Sequence, residues 1–127
     1  MKKLALLLSL IACSAQAETQ QQILDSLVAQ AGPASAARGE KLFRGKSSAG
    51  KAADSCTACH TEDAKAVGQH VKTHKAIDPL APVAQKDRFT DAAKVEKWFK
   101  RNCQEVLARV CTAQEKADFA AYMISIK

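Results

Sequence analysis

Cys56-Thr57-Ala58-Cys59-His60 sets two thiols three positions apart, with an imidazole directly after the second. At that spacing both sulfurs can add across the two vinyl groups on one edge of a porphyrin, and the next residue places its imidazole under the iron. Two other chemistries use a Cys-x-x-Cys pair. A redox dithiol belongs on a βαβ unit, and no period-2 run of useful length is present. A zinc site needs a second ligand pair, and Cys103 and Cys111 are eight positions apart near the far end of the chain. The expectation is one covalent haem c, bonded through Cys56 and Cys59, with His60 as axial iron ligand.

The opposite axial ligand is harder to read. Methionine is the usual one in small cytochromes, but this chain has only Met1, inside a leader, and Met123, which has core spacing in the last helix. His70, His74, Asn102 and a lysine remain. His70 follows His60 by ten residues, so the chain would have to round the haem edge quickly. Both histidines sit among Lys72, Thr73 and Lys75, as on a solvated loop. Asn102 lies 42 residues beyond His60 at the end of an apolar helix face, where asparagine also suits a helix C-terminus. The residues alone leave this choice open. Lys72, Lys75 and Arg88 could each pair with a haem propionate, and for each one singly a solvated surface charge is the preferred reading.

The elements that must position these groups are helical. Ile23, Leu24, Leu27 and Val28 form an apolar stripe that Gly32-Pro33 ends, and a second short helix runs from about Ser35 to Arg44. Gly45 to Ser55 is small, basic and flexible in composition, and leads into Cys56. From Gly68 to Arg88 no helical pattern is sustained, and Pro79 and Pro82 indicate an extended loop. Thr90 can cap a helix that carries Val95, Trp98, Phe99 and Asn102 on one face. Thr112 with Glu115 is a capping box for a last helix whose apolar face includes Phe119, Ala120 and Met123. The fold expected is all-α. Six aromatic side chains make a thin core, and a buried porphyrin would supply much of the missing apolar mass.

Lys2 and Lys3, the apolar run Leu4 to Ala12, and the small-x-small site Ala15-Gln16-Ala17 read as an export signal, with residues 1–17 removed and 18–127 forming the haem domain. Nine apolar residues are too few to span a bilayer, and no other segment could sit in one. Leu10-Ile11-Ala12-Cys13 is a competing lipoprotein box that would leave Cys13 lipidated. Export implies the periplasm and an oxidising compartment. The mature 110 residues would hold 17 basic and 13 acidic side chains, and two haem propionates would offset about half of that excess. Acidic protein partners fit such a balance; nucleic acid does not, because no basic stripe is interleaved with aromatics.

Lys75-Ala-Ile-Asp-Pro-Leu-Ala-Pro82, the run from Arg88-Phe-Thr-Asp through Trp98-Phe-Lys-Arg-Asn-Cys103, and Cys111-Thr-Ala-Gln-Glu-Lys-Ala-Asp118 closely resemble the SHP family. These are oxygen-binding sphaeroides haem proteins related to cytochrome c″. The likeness covers nearly all of the chain after Arg38. It implies a small class I cytochrome c fold, within which Gly39 and Phe43 would meet Tyr122 where the terminal helices cross. It also implies a Cys103–Cys111 disulfide, and a distal ligand immediately before the first disulfide cysteine: asparagine in SHP, histidine in cytochrome c″. That position is Asn102, and the resemblance implies that the ligand leaves when the iron is reduced. One position departs, since His74 stands where the family pattern has glycine.

An amide is a weak, hard, neutral donor, tolerable to ferric iron and poor for ferrous iron. The expected function is therefore electron transfer with a redox-labile Asn102 that opens the ferrous iron to O2 or NO. The resemblance implies a di-haem cytochrome c, or another redox protein, as partner. The alternatives are an enzyme that converts O2, NO or a related oxidant, and a gas or redox sensor without turnover. An enzyme would want distal acid–base groups, and the sequence places none.

Overall fold

Thr19 opens the first helix with a capping box: its hydroxyl accepts from the Gln22 N–H, and the Gln22 side chain accepts from the Thr19 N–H. The computed structural model describes residues 17–127. The export signal and Cys13 therefore fall, up to residue 16, outside the described residues. Helix α1 (Gln20–Ala31) buries Ile23 and Leu27. Helix α2 (Ala36–Arg44), capped by Ser35, buries Gly39 and Phe43. A single turn, α3 (Thr57–His60), carries the attachment motif, and α4 (Ala92–Leu107) and α5 (Ala113–Ser125) complete the helices. The last helix has the capping box expected from Thr112 and Glu115. No helix among the described residues is long and apolar enough to cross a membrane.

Two boundaries differ from expectation. The cap of α4 is Asp91, whose carboxylate accepts from the Lys94 N–H at 3.0 Å, while the Thr90 hydroxyl donates to the Asp87 carbonyl at 2.8 Å. At the other end α4 continues past Asn102, because Cys103, Val106 and Leu107 extend its apolar face, and it stops at Ala108 in the left-handed region. Asn102 is thus a mid-helix residue and not a helix C-terminus. The loop after α3 also holds a pair of two-residue strands, β1 (Gly68–Gln69) and β2 (Ala76–Ile77), antiparallel with Gly68 opposite Ile77. Two residues are too few for a period-2 pattern to show.

The terminal helices close on each other. A Cβ on Gly39 would overlap the Asp118 carbonyl oxygen, so only hydrogen fits where α2 crosses α5. Phe43 has no exposed surface, and its ring centroid lies 5.9 Å from Tyr122 and 6.4 Å from Phe119. Arg38 pairs with the buried Asp118 at 2.7 Å, and the Ser35 N–H donates to the same carboxylate at 2.7 Å. Ile23, Phe43 and Met123 are the largest fully buried side chains. Met123 is therefore packing, as its spacing indicated.

Candidate haem site

Ser55 sets the start of α3. Its buried hydroxyl accepts from the Ala58 N–H at 3.2 Å, donates to Asp54 at 3.0 Å, and lies 3.1 Å from the Thr57 hydroxyl. The N–H groups of Cys59 and His60 both turn back to the Cys56 carbonyl. Gly68 packs on the same turn so closely that a Cβ would overlap the Cys59 carbonyl oxygen. The motif is thus held between a hydroxyl at its N-terminal side and a strand against its backbone. Neither Ser55 nor Gly68 is marked by residue type; a Ser three positions before an N–H that needs an acceptor is the only local signal.

Cys56, Cys59 and His60 line a cavity of about 340 Å³ together with Trp98, Phe99, Asn102, Cys103 and Val106 of α4. Leu80 and Phe89 add apolar wall. Cys103 and Cys111 are joined as a disulfide with Cα atoms 5.7 Å apart, and both also face this cavity. The sequence-expected groups Cys56, Cys59, His60 and Asn102 therefore meet in one place.

The remaining candidates separate. His70 lines the cavity, but its Nδ1 accepts from the Lys72 and Thr73 N–H groups at 3.2 Å each. That fixes the proton of the neutral ring on Nε2 and leaves no lone pair there for a metal. His74 is exposed, does not line the cavity, and takes φ 56°, a backbone region where glycine is at ease. Lys72 and Lys75 are exposed, in keeping with solvated charge. Arg88 is not: it is buried, it lines the cavity, and the solvated reading fails for it. Trp98, expected on the buried face, is 44% exposed at the cavity wall, its ring covered on one side by the Arg88 guanidinium.

The electrostatics suit a neutral donor set. Burial, and then the charge of Arg88, push the His60 imidazole down to about 4, so the ring is neutral near pH 7. Burial pushes the Cys56 thiol up to about 11, the opposite of what a thiolate metal ligand requires. Among the described residues no group of three or more His, Cys, Asp or Glu side chains could hold a metal ion. A Cys56 thiol kept protonated by burial, a neutral imidazole and an amide on an apolar cavity fit an iron that arrives with its own nitrogen donors.

Residues 29–123 match a family described as a domain of unknown function, DUF1924. The cytochrome c-type protein SHP of Cereibacter sphaeroides is 49% identical over 104 residues, which is 80% of each chain. The chain belongs to the SHP family of c-type cytochromes. Its cofactor is one covalently bound haem c, and its fold is the small helical cytochrome fold. The structure of oxidised SHP, an oxygen-binding cytochrome c, superposes with a TM-score of 0.80 at 47% identity, over 84% of this chain and 96% of that one. Cytochrome c″ of Methylophilus methylotrophus is 42% identical over 80 residues, 63% of this chain and 55% of its own. Its oxidised crystal structure gives a TM-score of 0.73 at 32% identity, over 85% of this chain and 94% of that one.

Proposed function

We propose that this family member is an exported electron-transfer cytochrome whose distal ligand, Asn102, is given up on reduction, opening the ferrous iron to O2 or NO. The observation that carries the reading is that Asn102, on α4, shares one cavity with His60, on α3, while His70 has its Nδ1 committed and His74 lies outside. When bound, the haem supplies a one-electron ferric/ferrous couple and a coordination position for a small gas. Cys56 and Cys59 hold it as thioethers, and His60 donates a neutral ring nitrogen. The Asn102 amide oxygen is a hard donor suited to the ferric charge and released when that charge falls.

Cys103 follows Asn102 directly, so its bridge to Cys111 ties the ligand's own helix to the start of α5 and limits how far the amide swings. Phe99 and Val106 give the α4 side of the cavity an apolar wall. Residues 1–17 would direct export to the periplasm, with lipidation at Cys13 as the alternative maturation. A di-haem cytochrome c, or a similar redox protein, is the proposed electron donor. That the SHP relative is an oxygen-binding cytochrome supports the choice of gas.

Optical spectra of the purified holoprotein in ferric, ferrous and ferrous-plus-O2 forms test the reading. A six-coordinate ferric form, a five-coordinate ferrous form and a further change with O2 are expected. A ferrous form that keeps its sixth protein ligand and ignores the gas would overturn it.

A further inference from the structure

Arg88 is a buried cation that no ion pair neutralises; the exposed Asp78 carboxylate acts on it only through its charge. The residue is 8% exposed, and it takes no part in any ion pair among the described residues. Its Nε–H donates to the Pro79 carbonyl at 2.8 Å and its Nη2 to the Asp78 carbonyl at 2.7 Å. These are neutral acceptors, and they use two of the roughly five N–H groups a guanidinium carries. The Asp78 residue is itself exposed and meets Arg88 through its backbone. The guanidinium carbon lies 4.1 Å from the Trp98 ring centroid, and both residues line the cavity of Cys56, Cys59 and His60.

A desolvated guanidinium without a directly paired carboxylate is unfavourable, and the carbonyls, the ring and the more remote Asp78 charge offset only part of that cost. The other cations on the cavity, Lys75, Lys94 and Arg101, are exposed and keep their water, so they make no comparable demand. The cofactor of this family brings two carboxylates. A planar guanidinium binds a carboxylate through two parallel N–H groups, which a point charge cannot do.

We propose that Arg88, held by the Asp78 and Pro79 carbonyls and backed by Trp98, is the seat of one haem propionate. Trp98 stands one turn before Asn102 on α4, so the seat also fixes the register of the helix that carries the candidate distal ligand. The proposal rests on haem c in this cavity and is independent of Asn102 as the ligand.

The test compares holoprotein from the wild-type chain, Arg88→Met, Arg88→Lys and Lys100→Met. Lys100 is an exposed α4 residue off the cavity, and its variant controls for the loss of one positive charge. The propionate-bending modes in the resonance Raman spectrum and the equilibrium reduction potential are read. Arg88→Met should shift those modes and lower the reduced-to-oxidised ratio at a fixed poise about tenfold, or about 59 mV for a one-electron couple. Arg88→Lys keeps the charge and loses the fork, so the modes should shift while the potential moves less. Lys100→Met should leave the modes in place. Wild-type modes in the Arg88 variants, whatever their stability, would overturn the proposal and leave Arg88 as a tie between the 78–79 backbone and α4. If the Met variant does not mature with haem, the modes of the Lys variant decide alone. A failure of the Asn102 reading would appear in the distal-ligand spectra and leave these modes untouched.

Discussion

Gly39 meets Asp118 backbone to backbone where α2 crosses α5, and the same Asp118 reaches back through its carboxylate to Arg38 and Ser35 on the other side of the crossing. One contact is steric and the other electrostatic, and they predict different failures. Gly39→Ala places a methyl group on the Asp118 carbonyl and forces the helices apart. A loss of about 1–3 kcal/mol is expected from overpacking of this kind, seen as a lower urea midpoint. The ferric haem spectrum should hardly change, because the crossing lies outside the cavity lining.

Burial works against the Asp118 charge, but hydrogen bonds from Arg38, the Ser35 N–H and Gln114 outweigh it and hold its carboxyl below the usual range. A carboxylate depressed in the folded state adds stability above its unfolded value, near pH 3.9, and that stability is lost as pH falls through the folded value. Denaturation midpoints should therefore drop on acidification below about pH 4. Asp118→Asn should lower the midpoint at neutral pH and make its acid dependence shallower. An equally steep acid dependence in the variant would assign the effect to other carboxylates.

Cys103 and Cys111 close a loop with a sequence separation of 8. Dithiothreitol under denaturing conditions should raise the protein mass by two hydrogens. Replacing both cysteines by serine should cost about 2–3 kcal/mol on the chain-entropy scale. If the bridge also restrains Asn102, the double variant should show a broader ferric spectrum at temperatures well below unfolding.

Asn102→Ala should leave the ferric site with water or hydroxide, and its ferrous form should still take CO or NO. Asn102→His should become low-spin in the ferric state, since imidazole is the stronger ligand. His74→Ala should change neither spectrum. An unchanged Asn102→Ala together with an altered His74→Ala would remove Asn102 from the iron and leave the haem attachment standing.

The attachment motif was readable because its five residues are contiguous and their chemistry depends on spacing alone. The Thr112–Glu115 box and the Gly32-Pro33 stop were readable for the same reason, since caps are local. Arg88 was not. Its partners are two backbone carbonyls and a ring ten positions on, and backbone acceptors carry no residue signature. The commitment of His70 Nδ1 to two successive N–H groups likewise depends on the tight turn between β1 and β2, which is too short for a periodic signal. Asn102 was placed on the correct face but at the wrong point along the helix. The apolar face continues for more than a turn beyond Asn102 through Cys103, Val106 and Leu107, and a cysteine in an exported chain does not by its type mark an apolar helix position.

Met123 has no exposed surface. Iron that meets O2 or NO releases reactive by-products, and an accessible thioether near it is converted to a polar sulfoxide. Met123, the single methionine among the described residues, is not such a target because it is fully buried, and Cys103 and Cys111 are already oxidised to each other. The same burial that removes Met123 from the iron makes the packing of α5 resistant to chemical ageing, so repeated exposure to peroxide should leave this residue unmodified in the folded protein.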